Sequence, residues 1–261
     1  MSKSPYRYVR WLSPVFRSAR RFVFQYLYAG NGAACPTCER SFRTWRKDPL
    51  IGACPYCGSD PRHRFLWLYL SQQWKAGSKS VDLLHFAPEW CLRSRFQRDP
   101  RVARYVTADQ GAPGVDFHVD ITATTFEDGC FGAIVCSHVL EHVPDDRKAM
   151  RELLRVLRPG GVAYIQVPLS GEMAHTDEDP AVTDPKERER RFGQFDHLRV
   201  YGRDVTDRLR EAGFEVTEVR PRDLMDVGQM ASQGLWDDVI FRCERPLPTG
   251  ARLDFHDPKT R

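Results

Sequence analysis

Apolar residues along this chain fall into short uninterrupted runs separated by stretches of helical spacing, the pattern of buried strands alternating with amphipathic helices. Val81–Phe86 (VDLLHF), Tyr105–Ala108, Phe117–Val119, Phe131–Cys136 (FGAIVC) and Val162–Val167 are the predicted strands. They are short and mostly apolar, as strands covered on both faces of a parallel sheet are. Between the last two, Pro144 and the Asp145-Asp146 pair open a helix in which Met150, Leu153, Leu154 and Leu157 repeat on one face. Its acidic start and its Arg155 and Arg158 near the end suit the helix dipole. Pro159-Gly160-Gly161 is expected to stop that helix and turn the chain into the next strand. Downstream, Tyr201–Ala212 reads as a helix with Val205 and Leu209 inward and Gly213 at its stop, followed by strands at Phe214–Val219 and Asp238–Cys243. Upstream, Pro61–Trp74 reads as a helix that links two parts of the chain. Such alternation of strand and helix is what a parallel α/β sheet requires.

In an open α/β sheet the ligand crevice lies beyond the carboxyl ends of the strands. Polar residues gather there. Ser137, His138, Glu141 and His142 follow the fourth strand; Asp109 ends the second, 24 residues after His85, and Asp120 ends the third. An acid where Asp109 stands can accept hydrogen bonds from both hydroxyls of a ribose. A third histidine, His197, lies in Phe192–Gly202 (FGQFDHLRVYG), beyond a charged insertion after the fifth strand. Asp196 or His197 is suited to orient or deprotonate an acceptor and Arg199 to bind an anionic part of it; a hydrogen-bonded corner leading into the next helix is the competing reading. His175, Asp177, Glu178 and Asp179 match no metal cage, so a solvated, mobile loop is expected there.

The cysteines add a second element. Cys35-Pro-Thr-Cys38 and Cys54-Pro-Tyr-Cys57 stand 15 residues apart, with Gly58 after the second pair. Two such pairs supply four thiolates to one tetrahedral Zn²⁺ and leave no position open for chemistry. Disulfides and a redox pair are the alternatives; a cytoplasmic setting disfavours the first and the presence of two pairs disfavours the second. Cys91, Cys130, Cys136 and Cys243 lack paired spacing and read as small core residues.

Composition bounds the rest. Of 261 residues, 41% are hydrophobic and 28% charged, an ordinary globular balance. No apolar run is long enough to span a bilayer, and the N-terminus is no convincing secretory signal, so the expected location is the cytoplasm. A net charge of +4 conceals an asymmetry: residues 1–64 hold 12 Lys/Arg against 3 Asp/Glu, and the rest 27 against 32. Residues 1–34 mix six basic residues and no acid with eight tyrosines, phenylalanines and tryptophan. That front end suits an anionic partner, RNA or a membrane surface, or else packs its aromatics on the module that follows.

The run from Asp120 to Pro168, with Ser137–Val143 (SHVLEHV) leading through a helix to Leu157–Gly161 (LRPGG), resembles the second half of a class I S-adenosylmethionine-dependent methyltransferase. The resemblance implies a Rossmann-like seven-stranded sheet whose last strand is antiparallel. It divides the chain into a basic aromatic segment (1–34), a four-cysteine zinc module (35–64), a methyltransferase domain (65–245) and a tail (246–261). It implies a cofactor site at His85, Phe86, Ala87, Glu89, Asp109, Asp120, Ile121 and Ser137, with Asp120 and the backbone of Ile121 placed like the family's adenine contacts. One departure stands out: where most members carry an acidic glycine-rich loop, His85-Phe86-Ala87-Pro88-Glu89 contains no glycine, a variant resembling that of zinc-bearing members. Small Ala87 permits close approach of the backbone, and Glu89 is placed to face an amino group. His138, His142 and His197 are the candidate catalytic residues, since an oxygen acceptor needs a base near neutral pH. The expected activity is methyl transfer to a small-molecule or glycan-type acceptor at oxygen. The rivals are an RNA methyltransferase that grips substrate with the zinc module, and a scaffold that has lost cofactor binding along with the glycines.

Overall fold

The computed structural model describes residues 23, 26–46, 52–76 and 80–248. Most of the basic segment over 1–34, and the tail from 249, lie outside the described residues. The chain divides into two compact units: one gathers the described residues of 1–79 with 89–99 and 220–238, and the other comprises 80–88, 100–219 and the described residues from 239 on.

In the first unit, strands β1 (Ala33–Cys35) and β2 (Arg40–Phe42) form an antiparallel hairpin, followed by helix α1 (Pro61–Ala76). Phe96, at the end of helix α2 (Trp90–Phe96), is fully buried and meets the rings of Trp67 and Trp74 on α1 at 5.9 and 5.7 Å. Arg64 is fully buried beside the hairpin. Its guanidinium donates to the carbonyls of Ser59, Gly52 (2.8 Å), Gln233 (2.9 Å) and Gly234 (2.5 Å) and lies 4.0 Å over the Trp45 ring. One cation thus closes the loop around the second cysteine pair, its charge screened by four carbonyl dipoles and an aromatic face.

The second unit is built on a seven-stranded sheet. Its strands are β3 (Val81–Phe86), β4 (Val102–Asp109), β5 (Phe117–His118), β6 (Phe131–Ser137), β7 (Leu157–Gln166), β10 (Glu215–Val219) and β11 (Ile240–Glu244), in the order β5-β4-β3-β6-β7-β11-β10. Only β11 runs antiparallel to its neighbours. This is the Rossmann-like class I methyltransferase order, and its last strand in the chain is antiparallel, as the sequence resemblance implied. Leu83, Leu84, Ile134, Val135, Cys136, Ala163 and Ile165 are buried in the central strands, which is why those segments read as continuous apolar runs.

Helix α3 (Asp146–Val156) begins where Asp145 accepts the Lys148 N–H at 2.8 Å, and it buries Ala149, Met150, Leu153 and Val156. It ends two residues short of the expected stop. Leu157 already pairs with Phe131, and Arg158–Gly161 form an irregular start to β7 rather than a turn before it. Two interactions hold that shape: Gly160 adopts φ +74°, and Arg245 donates to the carbonyls of Leu154, Arg155 and Leu157 at 3.2, 2.9 and 2.6 Å. A side chain from β11's end thereby caps the helix, which no local pattern could announce.

The region after β7 also departs from expectation. Instead of a mobile loop it holds a short strand pair, β8 (Asp177–Glu178) with β9 (Arg199–Val200), and helix α4 (Pro185–Phe192). Asp177 and Asp179 pair with Arg191, and Glu178 with Arg199 and Arg208. The acids face arginines, so they need no metal. Tyr201 is not helical: it is buried in an isolated bridge to Leu169, and helix α5 begins only at Val205 and runs to Glu211. Its hydroxyl donates to buried Asp146 at 2.9 Å, a tertiary contact that outweighs local helix preference.

Candidate functional site

Strand ends of the second unit carry the expected residues. After β3 the chain turns at Ala87, which sits at φ +45°, in the left-handed region that glycine adopts freely. Its N–H donates to the Ala108 carbonyl at 2.9 Å, anchoring the turn to the end of β4. Alanine here holds a backbone shape that glycine adopts without strain. His85 and Phe86 are buried; the His85 Nδ1 lies 2.9 Å from the Tyr105 hydroxyl, within the sheet. Glu89 belongs to the first unit, where it starts α2 and its carboxylate lies 3.4 Å from His63 Nε2.

Asp109 closes β4. Its Oδ1 accepts the N–H groups of Gly111 (2.7 Å) and Ala112 (2.6 Å), which fixes the carboxylate at the strand end, and no hydrogen bond among the described residues reaches Oδ2. Asp120 is exposed and accepts the Thr122 N–H at 2.8 Å, so it also caps its own turn, while Ile121 is buried behind it. Ser137, at the end of β6, is buried and donates to Gln166 Oε1 at 3.1 Å.

His138 follows at φ +53°, a second non-glycine residue in left-handed conformation. Its N–H bonds to the Gln166 carbonyl at 2.8 Å, and its Nδ1 lies 3.1 Å from Oε1 of Glu141. Glu141 is fully buried in the 3₁₀ turn Leu140–His142, and apart from this His138 contact its carboxylate oxygens meet no hydrogen-bond donor among the described residues. Burial pushes its pKa up, but His138 and, more weakly, His142 reverse this, and the net shift is downward. His142 presents Nδ1 to the Asp196 carbonyl at 3.3 Å, and its ring meets that of His197 edge-on at 4.8 Å. His197 is buried, with Nδ1 2.9 Å from the Phe192 carbonyl; burial lowers its pKa and keeps the ring neutral.

The fold thus brings His138, His142 and His197 around one glutamate, although His142 and His197 lie far apart in the chain. Glu141 was legible only as part of the polar run after β6; the i, i+3 spacing from His138 was the available clue. Arg199 does something other than bind an acceptor. It is buried and donates to Glu178 (2.8 Å) and to the carbonyls of Leu140 (3.0 Å), Val143 (2.5 Å) and Pro144 (3.0 Å). It holds the turn that presents Glu141 and His142.

The cysteine module has different chemistry. Cys35, Cys38, Cys54 and Cys57 bring their sulfurs within 4.8 Å of one another, with Cys35–Cys57 and Cys38–Cys54 both at 3.7 Å. Four sulfurs about 2.3 Å from a tetrahedral Zn²⁺ would stand about 3.8 Å apart, so the donor set fits that ion. Hydrogen bonds from Cys38, then Cys54 and Cys57, hold the Cys35 thiol well below the usual thiol range. Cys136 and Cys243 are fully buried core residues.

A family model for a methyltransferase domain matches residues 95–165. A demethylmenaquinone methyltransferase of Clavibacter sepedonicus is 46% identical over 52 residues, 20% of this chain and 21% of that protein. The chain therefore spans about a fifth of the length of this curated relative. Among solved structures, the [4+2]-cyclase SpnF aligns with a TM-score of 0.48 at 15% identity over 73% of this chain and 85% of its own. The N-methyltransferase NodS of Bradyrhizobium japonicum, in complex with S-adenosyl-L-homocysteine, aligns with a TM-score of 0.44 at 18% identity over 77% and 91%. The resemblance to class I S-adenosylmethionine-dependent methyltransferases thus holds in the domain match and in the strand order.

Proposed function

We propose that this chain is an S-adenosylmethionine-dependent methyltransferase that acts on an oxygen of a small-molecule or glycan-type acceptor, and that its four clustered cysteines hold a structural Zn²⁺. One observation carries the reading: in a sheet of class I methyltransferase order, the carboxyl ends of β3, β4 and β6 carry a glycine-like turn at Ala87, an anchored Asp109 and a histidine–glutamate cluster. When bound, S-adenosylmethionine supplies an electrophilic methyl group on a sulfonium. The chain's own residues supply position and proton handling. Asp109, one oxygen fixed by two backbone N–H groups, offers the other to ribose hydroxyls. Asp120 and the Ile121 backbone are suited to an adenine edge. His138, oriented by Glu141, takes the acceptor's proton, and His142 and His197 flank the acceptor. Holding an acceptor in line with the methyl group and excluding water can lower such a barrier by about 7–11 kcal/mol, so positioning outweighs proton transfer.

The test is calorimetry of the full chain with S-adenosylhomocysteine. Binding is expected, with Asp109→Ala weakening it at least about tenfold, because a charge-assisted hydrogen bond contributes about 1.5–3 kcal/mol. No binding to the wild type, and no change in the variant, would leave the scaffold reading in its place. The charge asymmetry favours a second reading, an RNA acceptor. Its mark would be RNA binding by the full chain that falls steeply with salt.

A further inference from the structure

We propose that Glu141, His142 and His197 form a binding site for a divalent first-row transition-metal ion, with an open coordination position for the acceptor's oxygen. One candidate ligand atom from each of these residues lies within 4.8 Å of the others. Two ligands on one ion at about 2.1 Å stand about 3–3.5 Å apart, so small side-chain rotations complete the site.

Three features point to an ion. Glu141 is fully buried, and the His138 Nδ1, 3.1 Å from Oε1, is the one contact made to its carboxylate among the described residues, which leaves Oε2 bare where a buried charge calls for a partner. Both imidazoles also keep one nitrogen free to act as a ligand. His197 Nδ1 lies 2.9 Å from the Phe192 carbonyl and His142 Nδ1 lies 3.3 Å from the Asp196 carbonyl. A carbonyl only accepts, so each Nδ1 carries the hydrogen and each Nε2 keeps its lone pair, the tautomer that such outer hydrogen bonds impose on metal-binding histidines. Finally, the elements bearing the ligands are held in place: the Leu198 N–H bonds to the Glu141 carbonyl at 2.8 Å, and Arg199 grips the carbonyls of Leu140 and Val143.

Two imidazoles and one carboxylate suit Mn²⁺ through Zn²⁺, and three protein ligands with a vacancy is the pattern of catalytic rather than structural sites. Resting on the methyl-transfer reading, the ion would bind the acceptor hydroxyl and lower its pKa. His138 would take the released proton. As the oxygen–methyl bond forms, the methyl–sulfur bond breaks and S-adenosylhomocysteine leaves.

The experiment is a Mn²⁺ titration of the full-length, zinc-loaded protein, followed by the electron paramagnetic resonance of free Mn²⁺. Mn²⁺ is chosen because thiolates disfavour it, which keeps the cysteine module out of the readout. One Mn²⁺ per chain is expected, with affinity falling at least about tenfold in both Glu141→Gln and His197→Ala. If circular dichroism shows either variant unfolded, His142→Ala, at a partly exposed position, replaces it. No saturable Mn²⁺ binding by the wild type, or binding that all folded variants retain, overturns the proposal and leaves His138 as the partner of Glu141. The calorimetric titration keeps the two readings apart: S-adenosylhomocysteine binding without Mn²⁺ binding refutes only the ion. Mn²⁺ binding without S-adenosylhomocysteine binding leaves the site in place and removes methyl transfer.

Discussion

The cysteine module and the glutamate–histidine cluster both draw ligand-type side chains together, but one is closed and the other is left open. Four sulfurs satisfy a tetrahedral ion completely, and they come from two C-x-x-C pairs within one short stretch. In the cluster, a buried carboxylate whose one contact among the described residues is His138 meets imidazoles from two separate loops. A closed set holds a fold together; an open set keeps capacity for another atom. The difference also separates what each region depends on. With the proposed Zn²⁺ the module would depend on an ion, whereas the cluster depends on the protein around it.

The largest expected effect breaks the module alone. Cys54→Ser, or a strong chelator, removes an interaction that provides about 10–16 kcal/mol in comparable small zinc modules. Hydrogen exchange should show β1 and β2 losing protection while β3, β6 and β7 keep theirs. Unchanged protection of β1 and β2 in the variant would mean that the module folds without metal.

Next in size is the support of the cluster. Arg199→Met deletes a buried guanidinium, strands the carbonyls of Leu140, Val143 and Pro144, and leaves Glu178 with Arg208 alone. Removing one partner of such a buried network costs about 3–5 kcal/mol. Urea unfolding followed by circular dichroism measures it. A loss under about 1 kcal/mol would mean that the turn carrying Glu141 is held by other contacts.

Glu152 sharpens the contrast within the second unit. Unlike Glu141 it is fully partnered, accepting the Thr124 N–H (2.8 Å) and hydroxyl (2.7 Å) and two donors of Arg155 (2.8 and 2.7 Å). Arg155, more than burial can offset, pulls its pKa down to about 2. A depressed carboxylate stabilises fully above its unfolded pKa of 4.5, and that stabilisation fades as pH falls from there toward 2. The shift corresponds to roughly 3 kcal/mol at about 1.4 kcal/mol per unit, reduced to about 1–2 because Arg155 is a third exposed to solvent. In Glu152→Gln, stability should be lower at neutral pH and its slope between pH 4.5 and 2 shallower. Parallel slopes in variant and wild type would show that the pair contributes nothing.

How much could be read from the residues follows the same division. The central strands were legible because burial on both faces writes continuous apolar runs, and Cys35–Cys57 because zinc spacing is local. The strand-end acids were legible because sheet topology fixes where a strand end must be. What escaped was set by distant partners. Arg245 capping α3 shortens that helix, the Tyr201 bond to Asp146 delays α5, and the acids after β7 find arginines rather than water. Of the cluster, the histidines were visible singly, but the buried carboxylate at their centre required the fold. Arg199 looked like a ligand for an anion because its charge was visible and its four backbone and carboxylate partners were not.

The smallest effect concerns the glycine-free turn after β3. At φ +45° an alanine carries about 1–2 kcal/mol of strain that glycine would not. Glycine, however, loosens the unfolded chain by about 0.5–1 kcal/mol, so most of the relief cancels. Ala87→Gly should therefore change stability by less than about 1 kcal/mol and leave S-adenosylhomocysteine affinity near its original value. Ala87→Val, branched at Cβ, should be the costlier change, since left-handed backbone is a genuine outlier for such residues. Urea titration of the pair measures both. The conformation, not the residue type, is what this loop shares with glycine-bearing relatives if glycine is tolerated and valine is not. Equal losses in both variants would instead assign Ala87 a packing role, and the bond from its N–H to the Ala108 carbonyl would then be a consequence of that packing rather than the anchor of the turn.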